Sequence, residues 1–261
     1  MVNSNIMKHV QTNIKSNDIR SLIGQKIGNH LNGLDRRKKD DNQKVLELCQ
    51  IGKLLGTYFN EFNIINVTEK PDFIISNGKE TIGLEHEHIL DFKSKSEEGF
   101  YENICEKVEL NLQQEASMPN FLFTLFLKRN LNFKINDKNK IISELTELIK
   151  TYIFTDKLRE NDFVKRIYKQ KHSQKAVIPN FGAYMQKEIT DELIQEFITK
   201  KENKVNVYRK NSVQIQWLVL IIGNTGSSSY EVNNFTKVNI KSKFDKIFLY
   251  EDFDNKLYEL K

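Results

Sequence analysis

Asp72, Glu85 and Glu87 are three acids carried by two short runs with strand character, Pro71-Asp72-Phe73-Ile74-Ile75-Ser76 and Glu80-Thr81-Ile82-Gly83-Leu84-Glu85-His86-Glu87. Asn77-Gly78 between them is a strong two-residue hairpin signal, because both residues tolerate φ > 0. That turn opposes Ser76 to Lys79, Ile74 to Thr81 and Asp72 to Gly83. Side chains alternate with period two, so Asp72, Ile74, Glu85 and Glu87 share one face and Phe73, Ile82, Leu84 and His86 the other. Asp72 and Glu85 become diagonal neighbours with β-carbons roughly 5.5 to 8 Å apart, and Gly83 clears the space between them. Converging carboxylates repel one another unless something positive neutralises them. A hard divalent cation such as Mg²⁺ does so with two carboxylate oxygens and several waters. The plain alternative is a solvated hairpin face whose acids are simply wet. Ile74, apolar on the same face, favours a partly covered cleft.

Pro71-Asp72, followed thirteen residues later by Glu85-His86-Glu87 within Ile82-Gly83-Leu84-Glu85, resembles the signature of the PD-(D/E)XK nuclease superfamily. The resemblance covers residues 42 to 128 in element order: a helix, a β-meander carrying the acids, a helix and a further strand. It implies an α/β restriction-endonuclease-like fold, a mixed β-sheet flanked by helices with a helical insertion. It further implies Mg²⁺ or Mn²⁺ held by Asp72 and Glu85, with Glu47 on the preceding helix as an additional acid. The activity implied is hydrolysis of phosphodiester bonds in DNA, with DNA favoured over RNA as partner, no membrane association, and room for a homodimer. The motif departs at its lysine, whose position is Glu87. A carboxylate cannot stabilise the developing phosphorane charge as an ammonium does; Glu87 would instead hold a water or a second metal.

A displaced lysine has two candidates. Ile194, Phe197 and Ile198 form the inner stripe of a helix beginning at Asp191, and Lys201 and Lys204 continue that stripe within about 40° of Phe197. Snorkelling from a helix end is the plain reading of both. Lys200-Lys201-Glu202-Asn203-Lys204 and Gln216-Trp217-Leu218, taken with Pro71-Asp72-Phe73 and Ile82-Gly83-Leu84-Glu85, resemble a bacterial branch of the same superfamily. The competing function is a catalytically inactive module of that fold that binds nucleic acid or protein.

Basic residues gather at Lys165, Arg166, Lys169, Lys171 and Lys175, with Tyr168 among them and no acid, and again at Arg209 and Lys210. Such clusters suit a phosphate backbone, although a charged helix surface explains them equally well. His86 and His88 are spaced two apart without His-Glu-x-x-His or paired Cys-x-x-Cys, so a packed or hydrogen-bonded His86 is preferred to zinc. No P-loop, dinucleotide fingerprint or Gly-x-Ser-x-Gly motif occurs.

These residues need elements to hold them. Apolar spacing predicts helices over Asn42–Phe62, Glu97–Ala116 and Asn139–Tyr168, the last allowing a break near Thr155, and a helix capped by Thr190; it predicts strands over 120–128, 216–223 and 243–250. Residues 1–41 read as a polar arm with room for one short helix, ending in Asp35-Arg36-Arg37-Lys38-Lys39-Asp40-Asp41, and residues 42–261 as one nuclease-like α/β domain. The 261 residues carry 40 Lys and Arg against 35 Asp and Glu, a net +5. With 39% apolar residues and a mean hydropathy of −0.55, the chain reads as globular and cytoplasmic rather than membrane-spanning or disordered. Cys49 and Cys105 cannot make a disulfide framework and read as small buried hydrophobes.

Overall fold

The computed structural model describes residues 5–6, 8–12, 19–128, 134–211, 213–223, 225–233 and 237–261. Two compact units compose the chain: Met1–Leu90 together with Gln186–Lys261, and Asp91–Met185 between them. The first unit opens with β1 (Asn5–Ile6), β2 (Lys8–Val10), α1 (Ile19–Ile27), α2 (Lys39–Tyr58), β3 (Asn63–Val67), β4 (Phe73–Ser76) and β5 (Thr81–His88). The second holds α3 (Phe92–Gln113), β6 (Phe121–Leu127), α4 (Lys138–Thr155), β7 (Val164–Lys171) and β8 (Ala176–Asn180). The first then resumes with β9 (Lys187–Glu188), α5 (Asp191–Glu202), α6 (Val205–Asn211), β10 (Ile215–Ile222), β11 (Tyr230–Glu231), β12 (Lys237–Val238), β13 (Lys246–Glu251) and β14 (Lys256–Glu259).

A seven-stranded mixed sheet, ordered β2-β14-β13-β10-β5-β4-β3, organises the first unit. β10 runs parallel to both β5 and β13, and the remaining pairs are antiparallel. One face packs Phe73, Ile75, Leu84 and Val219 against Leu48, Ile51 and Leu55 of α2 and Ile27 of α1. The other packs Leu218, Leu220 and Leu249 against Ile194, Phe197 and Ile198 of α5 and Val205 and Tyr208 of α6. A strand covered on both faces needs apolar residues at every position, which is why β10 reads as a nearly unbroken apolar run.

Several sequence expectations shift. The polar stretch 1–41 is not wholly an arm: α1 packs within it, and Lys26 is buried with its ammonium donating to the carbonyls of Asn60 (2.6 Å) and Phe62 (2.7 Å). Residues 1–4, 7 and 13–18 of that stretch lie outside the described residues. α2 starts at Lys39, not at Asn42, with Asp40 and Asp41 in its positively polarised first turn. It ends at Tyr58 because Asn63-Ile64-Ile65-Asn66-Val67, rich in β-branched residues, pairs with β4 instead.

The hairpin register also moves. Ser76 opposes Thr81 and Phe73 opposes Leu84, so the connection is the four residues Asn77–Glu80. Asn77 Oδ1 accepts the amides of both Lys79 and Glu80 at 2.9 Å, and Gly78 takes φ 84°, a side-chain-stabilised turn that outcompetes the two-residue one. The slip is two residues, and an even slip returns every side chain to its expected face.

In the second unit α3 and α4 cover one face of a three-stranded sheet ordered β7-β6-β8, with Tyr101, Ile104, Leu145 and Ile149 packed against Phe123, Leu125, Ile167 and Val177. The expected helix to Tyr168 stops at Thr155, where Asp156 adopts φ 54°, and the basic residues 164–171 form a strand. Pro179 lies in the edge strand β8, where a missing N–H breaks no ladder on its free side. The insertion is therefore α/β, not helical. Cys105 is buried, which pushes its thiol up to about 12, and Cys49 is half-buried. No helix among the described residues is long and apolar enough to cross a membrane.

Candidate functional site

Asp72 precedes β4 and Glu85 lies on β5; the observed register, carried one pair beyond Phe73 and Leu84, brings them directly opposite each other. Asp72 Oδ2 accepts the backbone N–H of His86 at 2.9 Å, which pins the carboxylate against β5. Glu85 is 2% exposed. Its Oε1 accepts from the Lys201 ammonium at 2.8 Å, and its carboxylate also meets the buried Tyr208 hydroxyl. Glu87 Oε2 meets the same ammonium at 2.8 Å.

Lys201 reaches this position because α5 packs through Ile194, Phe197 and Ile198 onto the face that carries Glu85 and Glu87. Thr190 fixes the start of α5, its Oγ1 accepting from Leu193 N at 3.3 Å. Burial pulls the Lys201 ammonium down in pKa, but Glu85 and Glu87 outweigh burial and the net shift is upward. Lys201 is accordingly a fixed cation. Lys204, one turn on, is exposed and makes no ion pair with these acids among the described residues.

Burial, followed by the charge of Glu85, pushes the Asp72 carboxyl up to about 7. Lys201 and the His86 amide oppose that shift without cancelling it. Glu47 on α2 contributes least to it; its carboxylate is held by Lys44 at 3.5 Å and by Gln43 at 3.1 Å. Glu47 is thus a neighbour in charge and not a contact.

Three residues of this region carried no functional expectation. Tyr208 on α6 is fully buried, and burial followed by Glu85 raises its hydroxyl's pKa. Gln216 on β10 opposes Gly83, where a β-carbon would stand 2.5 Å from the Gln216 amide. Gly83 therefore makes room for Gln216, not for a gap beside Asp72. A glutamine at the head of the apolar run Trp217–Ile222 is the one sequence signal of that close packing. Behind the sheet, His86 Nε2 meets Gln50 Oε1 at 3.0 Å, and Gln50 Nε2 donates to Asp252 Oδ2 at 3.3 Å. The second bond fixes the Gln50 amide, so His86 donates from Nε2. Burial first, then His88, holds the His86 imidazole far below its usual range, leaving it neutral. The His88 ring stands edge-on to it at 4.8 Å.

The basic residues separate. Lys165, Arg166, Lys169, Lys171 and Lys175 belong to the second unit, and Arg209 and Lys210 to the first. The Arg209 guanidinium is engaged by Asp245 (3.2 Å) and the carbonyls of Gln214 (3.1 Å) and Lys243 (2.9 Å), a brace between α6 and the start of β13. Lys169 pairs with Asp156. Lys165, Lys171 and Lys210 are exposed.

Among the described residues no three His, Cys, Asp or Glu side chains form a ready metal cage. Two carboxylates do suit a hard cation: that of buried Glu85, and that of Asp72, which burial and then Glu85 push toward protonation. Mg²⁺ keeps several waters and needs only one or two carboxylates, so this donor set fits it. Compared with protein-family models, with curated proteins and with solved structures, the chain matches none.

Proposed function

We propose that the chain is a divalent-metal-dependent nuclease acting on DNA, in which the lysine of the PD-(D/E)XK motif is supplied from α5. One observation carries this reading: the Lys201 ammonium lies 2.8 Å from Glu85 and 2.8 Å from Glu87, beside the residue that stands where the motif has lysine. Element order supports it. The helix and strand that the resemblance placed within 97–128 are α3 and β6 of the second unit, outside the seven-stranded sheet; with Asp91–Met185 set aside as an insertion, α2, the β3-β4-β5 meander, α5-α6 and β10 follow instead in the order helix, meander, helix, strand that the restriction-endonuclease-like fold requires.

In this reading Asp72 and Glu85 hold Mg²⁺ or Mn²⁺, which when bound supplies charge stabilisation at the scissile phosphate and lowers the pKa of a coordinated water. Lys201 donates to Glu85, Glu87 and the His86 carbonyl, which keeps both glutamates oriented and sets a positive charge beside the phosphate oxygens where charge develops. Glu87 accepts a hydrogen bond from the attacking water. Burial of Glu85 excludes bulk water and strengthens each of these interactions.

Purified protein with plasmid DNA and Mg²⁺ or Mn²⁺, beside Asp72→Ala and Glu85→Ala, tests the assignment. Cleavage lost in both variants supports it; cleavage that survives both, or none with either metal, overturns it. A second reading has its own observation: Lys201 already bridges Glu85 and Glu87 without a metal ion, as an inactive binding module of the same fold would require. Calorimetry with Mn²⁺ separates the two, because the module has no site whose heat disappears in Asp72→Ala.

A further inference from the structure

The three-stranded sheet of the second unit is covered on one face only. Its register assigns the other face three rows: Gln170-Leu122-Ala176, Tyr168-Thr124-Ile178 and Arg166-Phe126-Asn180. None of these nine residues is buried; Tyr168 is 55% and Ile178 45% exposed. The face is aromatic and cationic. Arg166 stacks over the Phe126 ring with its guanidinium carbon 4.0 Å from the centroid, leaving the far side of the guanidinium plane free to stack again. β6, β7 and β8 contain no acid, and exposed Lys165 stands at the bulge beside Arg166; Lys171, paired with Phe121, belongs to the rows of the helix-covered face.

We infer that this face binds a single-stranded polynucleotide, with unpaired bases stacked on Tyr168 and on Arg166 and phosphates drawn to the cationic end formed by Arg166 and Lys165. Charge selects a polyanion. The exposed ring and guanidinium plane select one whose bases are unpaired, because every free base offers a π-face and a duplex hides its own. An acidic protein would meet the same charge but would give Tyr168 and Arg166 nothing planar to match. The inference goes beyond the acid site and does not depend on metal chemistry.

The test is fluorescence anisotropy of the full chain with a labelled oligothymidylate about 20 nucleotides long, in EDTA and low salt, so that hydrolysis plays no part. Binding should weaken about tenfold in Tyr168→Ala and stay within about twofold in Tyr168→Phe, which keeps the ring. Arg166→Ala should weaken it and flatten its salt dependence. Because Tyr168 and Arg166 are exposed, these variants leave the core intact. No binding, affinity unchanged in Tyr168→Ala, or equal competition by duplex DNA would overturn the inference. A failed plasmid assay with these effects present would remove the nuclease reading and leave this one standing.

Discussion

The two sheets treat lysine in opposite ways. In the first unit helices cover both faces, and the Lys201 side chain, 14% exposed, is locked between Glu85 and Glu87. In the second, helices cover one face, and Lys165 and Lys171 stand in water. Coulomb attraction strengthens as water is removed, and so does the cost of leaving a charge unpaired. A residue type therefore says little until its sheet face is known. Buried charge acts on stability and site chemistry; solvated charge acts on the affinity and salt dependence of a partner.

Substitutions can break that contrast. The largest effect is expected for Lys201→Met, which strands two carboxylates beside a covered sheet and should cost about 3 kcal/mol in urea unfolding. A neutral result would mean that water reaches Glu85 and that the two sheets do not differ as described. Gly83→Ala should cost about 2 kcal/mol, since its new methyl meets the Gln216 amide. Two side chains competing for one space are not additive, so the penalty should shrink in a Gln216→Ala background.

Asp72→Asn should stabilise the metal-free protein by about 1 kcal/mol at pH 8. The folded state holds the Asp72 proton up to about 7, whereas the ordinary value is 3.8. Wild-type stability on this account falls as pH rises between those values, and the asparagine variant escapes the fall. Thermal melts should show a gap that is small at pH 5 and full at pH 8, and Mg²⁺ should raise the wild-type Tm alone. The smallest effect is expected for Lys165→Ala, within about 0.5 kcal/mol of wild type in the same unfolding assay. A cost rivalling that of Lys201→Met would place Lys165 in a buried network and remove the contrast.

Much of the site was legible because its logic is local. Period-two alternation put Asp72, Glu85 and Glu87 on one face even though the predicted turn was two residues too tight, since parity survives an even slip. Helical periodicity put Lys201 on the inner stripe of α5. It could not separate Lys201 from Lys204, because only the docking of α5 against β5 decides which ammonium reaches Glu85. Residues 164–168 carry helical spacing yet form a strand: the apolar Val164 and Ile167 lie three apart, as on a helix, because a bulge at the Arg166–Val164 step breaks the strand's alternation.

By itself the sequence determined the residue types, their parity on the hairpin and the stripe on α5, all consequences of backbone periods that act over a few residues. Tertiary structure decided the register, the pairing of β5 with β10 over more than a hundred intervening residues, the fit of Gln216 against Gly83, and the burial that raises Asp72. These depend on which surfaces meet and exclude water, a property of distant segments together that no local period encodes.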